Sequence, residues 1–178
     1  MLDAIHPWGG KVRTFRSPSI ETRVANEPWQ VAGYWALRQA IFAHEQRLFM
    51  SSDRDVHDDH ALPLVALSST AGMPDAVVGV VRVYPVGHDE WFGGRLGVCP
   101  VYRRHGIVGE TLIKTAVGTA LGAGSVRFFA TVQLANVRYF QRHHFQVVGE
   151  RLVSGVVHAL MEARLSEFKP LLAPEVLA

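Results

Sequence analysis

Apolar and polar positions along this chain switch between two periods, and the switches outline the fold. From Trp29 to about Gln46, apolar residues fall at Val31, Tyr34, Trp35, Ile41 and Phe42, which predicts an amphipathic helix. Residues 62–67 and 76–86 are instead runs of β-branched and aliphatic side chains. They are separated by Ala71-Gly72-Met73-Pro74 and closed by Gly87-His88-Asp89, so they read as a hairpin. Residues 91–98 predict a third strand, loosened by Gly93 and Gly94. Leu112, Ile113, Ala116, Val117, Ala120 and Leu121 form the clearest helical stripe, stopped by Gly122 and Gly124. A strand over 126–132, a short helix over 136–143 and a hairpin of 145–153 with 156–163 across Ser154-Gly155 complete the chain. With a short extended segment at 21–26, the order is strand, helix, three strands, helix, strand, helix, two strands. That predicts a mixed α/β domain, a single sheet flanked by helices.

Composition narrows what such a domain can be. The 178 residues suit one domain over 21–168, with an aperiodic N-terminal arm at 1–20 and a C-terminal tail at 169–178. Hydrophobic residues make up 48% of the chain, enough for one sizeable core. Eighteen basic and 16 acidic side chains leave a net charge of +2, with no Lys/Arg block, so no nucleic-acid partner is expected. The single cysteine, Cys99, excludes an internal disulfide and a cysteine zinc cage. No run of about 18 uncharged apolar residues could span a membrane, and the first residues do not pattern as a secretory signal. A cytoplasmic protein without a membrane partner is expected, and exposed strand edges make a homodimer an open expectation.

Candidate chemistry concentrates after the third strand. That strand ends at Pro100, Arg103, Arg104 and His105 follow, and Gly106 opens the long helix. The first N–H groups of a helix lack intrahelical acceptors and point along the positive end of its dipole, so this turn is an anion site. A P-loop is excluded, because Gly109 is followed by Glu110 and Thr111 rather than Lys-Ser/Thr. A dinucleotide fingerprint is excluded as well, since residues 126–130 carry no carboxylate.

The run Val98-Cys99-Pro100-Val101-Tyr102-Arg103-Arg104-His105-Gly106-Ile107 resembles the acetyl-CoA motif of the GNAT N-acetyltransferase superfamily, Val-x-Pro-x-x-Arg/Gln-x-x-Gly-x-Gly/Ala. Asn136-Val137-Arg138-Tyr139-Phe140 through Phe145 resembles its second half. More narrowly, segments such as Ala61–Leu67, Val132–Val137 and His158–Ala163 resemble the nitrogen-starvation N-acetyltransferases. The resemblance implies a GNAT fold and acetyl-CoA as acyl donor. It implies coenzyme contacts at Leu96, Gly97, Val98, Arg103, Arg104, His105, Gly106, Ile107, Val108, Gly109, Asn136, Tyr139 and Phe140. Val108 stands where the family carries a second small residue, which predicts crowding of the pyrophosphate. Tyr139 precedes Phe140 where the family ends its aromatic pair on tyrosine, turning the hydroxyl by about 100° around the helix.

The resemblance further implies direct attack of a small amine on the thioester in a ternary complex, with the Val98 N–H donating to the oxyanion. The strand carries no internal carboxylate to act as base. Glu90 at its start, His144 and His158 are the candidates, and Tyr139 is the candidate acid. The segment from Asp53 to His60 lacks the glycine turn and distal glutamate of a hard-cation loop, so no metal is expected and a solvated loop is the plain reading. Glu45, Asp53 and Asp55 are candidates for selecting a cationic substrate. Together with Asp58 they also resemble the acyl-homoserine-lactone synthases, which keeps a different acyl donor open as an alternative. A coenzyme-binding sensor without turnover is the third reading. Cys99 reads as a packed sulfur at the strand end.

Overall fold

The computed structural model describes residues 19–46, 52–70 and 72–171, with the side chains of Thr70 and His105 outside that set. The expected arm, apart from its last two residues, and the last seven residues of the tail lie outside the described residues.

Seven strands form one sheet: β1 (Glu21–Val24), β2 (Leu62–Thr70), β3 (Met73–Pro85), β4 (Glu90–Val98), β5 (Arg127–Gln133), β6 (Phe145–Val153) and β7 (Val156–Ala163). Their order across the sheet is β1-β2-β3-β4-β5-β7-β6. Every neighbouring pair is antiparallel except β4 and β5. A parallel pair needs a crossover, and the helix α2 (Ile107–Gly122) supplies it. Its stripe of Leu112, Ile113, Ala116, Val117 and Ala120 packs with Leu64, Val83, Trp91, Phe128 and Met161 into the main core on one face of the sheet. The short helix α3 (Val137–Arg142) closes that core through Phe140, which meets Phe145 edge-to-face at 5.3 Å. On the opposite face, α1 (Pro28–Arg38) covers Val65, Leu67 and Val80 through Tyr34.

Two departures from regular geometry build the site. The helical stripe over 29–46 is not one α-helix. After Arg38 the chain widens into a π-helix, Gln39–Glu45, closed by a bond from the Gln46 N–H to the Ile41 carbonyl at 2.8 Å. Such widened turns recur at functional sites. The second departure is in β4, where a bulge interrupts the pairing with β3 between Val80 and Arg82. Arg95, on the bulged strand, takes φ 55°, a left-handed conformation that non-glycine residues rarely hold. Past the bulge, β4 separates from β5. Their register runs only from Glu90–Arg127 to Gly93–Ala130, although both strands continue.

Candidate active site

The parting of β4 from β5 opens a cavity of about 660 Å³ that runs through the sheet. On the α2 side it reaches Gly106, Gly109, Tyr139 and Phe140, and on the other side Phe42, Tyr84, Phe92, Arg151 and His158. Its volume falls within the range of small-ligand sites.

Val98 sits at the centre of the opening. Cys99 donates its N–H to the Val78 carbonyl at 2.8 Å, which makes 99 a hydrogen-bonded position against β3. The preceding position, Val98 opposite Gly79, is then a non-hydrogen-bonded one, with N–H and C=O turned to the opposite edge of the strand. That edge faces the opening. The Val98 carbonyl accepts from Arg103 Nε at 2.8 Å, and the N–H points the same way.

Beyond Val98, residues Pro100–His105 coil into a 3₁₀ turn that ends at Gly106, whose φ of +68° suits glycine. Glu110 donates the first intrahelical bond, to the Gly106 carbonyl at 3.0 Å, so the N–H groups of Ile107, Val108 and Gly109 have no acceptor inside the helix. These donors and Arg104 fit an anionic group such as a pyrophosphate. Val108 does not crowd that position. Its side chain is 3% exposed and fills the core, where a Cβ at Gly79 would lie 2.6 Å from Val108 Cγ1. Gly109, one residue on, seats the Tyr139 ring. A Cβ there would come within 2.6 Å of the Tyr139 hydroxyl, which donates to the Gly106 carbonyl at 3.2 Å. Burial, with Glu110 nearby, pushes the Tyr139 hydroxyl pKa up, so it stays protonated at neutral pH. Gly109→Ala should therefore push Tyr139 off the Gly106 carbonyl. An overpacking cost of about 1–3 kcal/mol in thermal unfolding, with weaker coenzyme binding by calorimetry, is the expected result.

Arg103 is engaged from two sides. Besides Val98 it holds Glu45, at the end of the π-helix, through both terminal nitrogens at 2.7 and 2.8 Å. Its hydrogen bond lowers the Glu45 carboxyl below the usual range. Gln46 accepts from Gln133 Nε2 at 2.9 Å, so the π-helix and its next residue tie to both rims of the opening.

The segment expected as a solvated loop is exposed along most of its length, but Asp53 is buried and the carboxylates of Asp53, Asp55 and Asp58 turn onto arginines. Arg38, with no exposed surface, binds Asp53 through Nε at 2.7 Å and Asp58 through Nη1 and Nη2 at 2.5 and 3.0 Å. Arg82, 3% exposed, holds Asp55 with two 2.7 Å bonds and Asp58 at 2.8 Å. Arg95 donates to the Asp53 carbonyl and to Asp55. Burial opposes the charge on Asp55 and Asp58, but the arginines outweigh it and hold both below the carboxylate range. The three carboxylates expected to select a cation, Glu45, Asp53 and Asp55, are thus all engaged by arginines.

Of the four candidate proton-transfer residues, His158 and Tyr139 reach the cavity and two do not. Glu90 lies at the far end of β4, 3.1 Å from Arg127. His144 takes a left-handed turn at φ 65° and packs near Phe168, outside the cavity lining. His158 is 4% exposed, opposite Gln133 in the β5–β7 register, and its Nδ1 lies 2.9 Å from the Val156 carbonyl. That carbonyl can only accept, so the proton sits on Nδ1 and Nε2 keeps its lone pair.

The family model of the Acetyltransferase (GNAT) family matches residues 18–145. The chain belongs to the acetyltransferase (GNAT) family. The GNAT fold is shared with a protein of Lactobacillus plantarum designated an N-acetyltransferase, at 23% identity and TM-score 0.70, covering 83% of this chain and 99% of that one. Escherichia coli ElaA aligns at 18% identity and TM-score 0.66, over 82% and 99%. The N-acetylglutamate synthase of Neisseria gonorrhoeae, solved with coenzyme A and N-acetyl-glutamate, aligns at 20% identity and TM-score 0.61, over 84% of this chain and 36% of that one. No curated protein matches the sequence significantly.

In this GNAT enzyme the expected coenzyme residues divide by position. Leu96, Gly97, Val98, Arg103, Gly106, Gly109, Asn136, Tyr139 and Phe140 line the cavity. Arg104 and Ile107 lie exposed beside it, Val108 is core, and the His105 side chain lies outside the described residues. Among the described residues no helix could cross a membrane and no His/Cys/Asp/Glu group is placed to hold a metal. Sequence reasoning missed Arg82, Arg95, Arg151 and His57. Only Arg95 carries a local signal, the Gly93-Gly94 pair before it.

Proposed function

We propose that this GNAT chain moves an acetyl group from acetyl-CoA to the amine of a small molecule by direct attack in a ternary complex. The observation that carries this reading is the opening between β4 and β5, with the α2 N-terminus at one end and His158 at the other. The coenzyme's pyrophosphate binds at the N–H groups of residues 107–109 and its thioester enters along β4, the carbonyl oxygen facing the Val98 N–H. One such donor contributes about 10²–10³ in rate. His158 Nε2 takes the proton from the incoming ammonium, directly or through one water. The amine nitrogen bonds to the thioester carbon, the C–S bond breaks, and the nitrogen's second proton passes, directly or through Tyr139 or water, to the departing thiolate, which leaves as the thiol. A thiol pKa of about 8.5 makes it a fair leaving group, so proton donation by Tyr139 is helpful rather than essential. Placement among the nitrogen-starvation N-acetyltransferases is the narrower form of this reading. It is supported by the segments His158–Ala163 and Ala61–Leu67, which supply most of β7 and most of β2.

Calorimetry with acetyl-CoA, followed by a free-thiol assay over a panel of amines, tests the proposal. Micromolar binding and amine-dependent thiol release are expected. Binding without transfer to any amine would favour a sensor, and no binding would overturn the reading.

A further inference from the structure

The cleft face opposite α2 carries more positive charge than its carboxylates balance. Arg82, Arg95, Arg103 and Arg151 line the cavity, with His57 and His158, against a single carboxylate, Asp55. Asp55 is already shared between Arg82 and Arg95. In the buried cluster three arginines face three aspartates, and Arg103 is matched by Glu45. Arg151 stands outside these pairings. It makes no ion pair among the described residues, and its guanidinium lies 5.5 Å from the centroid of the Phe92 ring.

Two local features point the same way. Arg95 is held in a left-handed conformation inside the β4 bulge, a strain that functional sites tend to store. Burial, and then the like charge of Arg82, pulls its pKa down against the pull of Asp55 and Asp53. Arg82 is buried, and its Nε has no acceptor among the described residues. Gly94, a cavity residue, is its near neighbour: a Cβ there would lie 3.6 Å from that Nε, an ordinary packing distance. Buried N–H donors nearly always have a partner.

Position then limits the ligand. Arg151 on β6 and His158 on β7 are register partners, so they share a face of the sheet, with Cβ atoms roughly 5 Å apart. An anionic group at Arg151 lies within a few bonds of an amine presented to His158.

We propose that the acceptor is a small amino acid whose carboxylate is held by Arg151 and Arg95 above Phe92 and Tyr84, with its amine beside His158. This rests on the acetyltransferase reading given above and adds the acceptor's chemical class to it. The charge it assigns is opposite to that expected from the acidic segment, whose carboxylates are spent on arginines. The carboxylate takes no part in bond making; the new bond is from the amine nitrogen to the acetyl carbon, and coenzyme A leaves as the thiol.

The test compares free-thiol release with L-amino acids of acidic, basic and apolar side chain against their carboxamides and decarboxylated amines. A carboxamide's amine is less basic and more of it is neutral near pH 8, so intrinsic reactivity favours the amide. A kcat/KM at least about 10- to 100-fold higher for an amino acid than for its carboxamide is the result expected from charge-assisted bonds. Arg151→Leu should collapse that ratio toward unity through KM, while Arg151→Lys should restore part of it. Acetyl-CoA binding by calorimetry checks that each variant folds. Equal or better turnover of carboxamides and decarboxylated amines overturns the carboxylate site and leaves the acetyltransferase reading intact. Failure of every acceptor overturns this inference, and failure to bind acetyl-CoA overturns the reading beneath it as well.

Discussion

Arg38→Met is expected to lower the thermal unfolding midpoint by roughly 6–20 °C, corresponding to about 3–5 kcal/mol for breaking a buried ion cluster. The cost arises less from lost attraction than from what is left behind. Asp53 is 3% exposed, and without Arg38 its carboxylate keeps, among the described residues, the 3.3 Å contact to Arg95. Asp58 keeps Arg82 and loses two bonds. Tyr34, whose hydroxyl burial pushes up to about 12, loses its donor as well. The pH dependence gives a second readout. Asp55 and Asp58 have native pKa values below their unfolded ones, so the unfolded state binds more protons in acid. Their stabilisation is complete above the unfolded carboxylate pKa of about 3.9 and is lost as pH falls toward the native values. In Arg38→Met the pull on Asp58 is weaker, so stability should fall less steeply from about pH 5 to pH 2. Chemical denaturation at several pH values measures both effects. An unfolding midpoint unchanged from the wild type would show that the cluster does not hold the fold.

That cluster also marks where the sequence stops being informative. The two-residue turn at Ser154-Gly155 specifies β6 and β7 to the residue, because it fixes the register of the edge strand β6 against β7, whose Ala159, Met161 and Ala163 alternate into the core. The glycine turn at 106 is legible for a similar reason: its chemistry is local, a strand end, a left-handed glycine and a helix start. The acidic segment is not. Its partners, Arg38, Arg82 and Arg95, lie 15 to 42 residues away, and nothing in Asp53–Asp58 distinguishes a solvated aspartate from a buried, paired one. The change from α- to π-helix at Gln39 is equally silent, since a stripe of apolar residues cannot distinguish i+4 from i+5 bonding over one turn. The separation of β4 from β5 escapes for another reason. Gly93 and Gly94 loosen a strand, but whether the strand bends, bulges or parts depends on the neighbour across the gap.

His158→Ala should lower kcat by about 10²–10⁴-fold while acetyl-CoA affinity holds, because a general base contributes to the transition state and not to coenzyme binding. The proposed role rests on the geometry of the ring. Its Nδ1 is committed to the Val156 carbonyl two residues back, which fixes both the tautomer and the direction of Nε2. The ring lies in the cavity wall beside Gln133, on the β5 rim that faces Val98 across the opening. No carboxylate in β4 competes for the task, and Glu90 is bound to Arg127 at the other end of the strand. Because the substitution also removes packing, activity alone does not separate a base from a structural histidine. Imidazole does. The space vacated in His158→Ala can admit it, and an amine-dependent rate that rises with imidazole concentration, at constant acetyl-CoA affinity and unfolding midpoint, is the signature of a replaced proton acceptor. Wild-type turnover in His158→Ala would instead assign the proton to solvent and leave His158 as a strand residue that shapes the cleft.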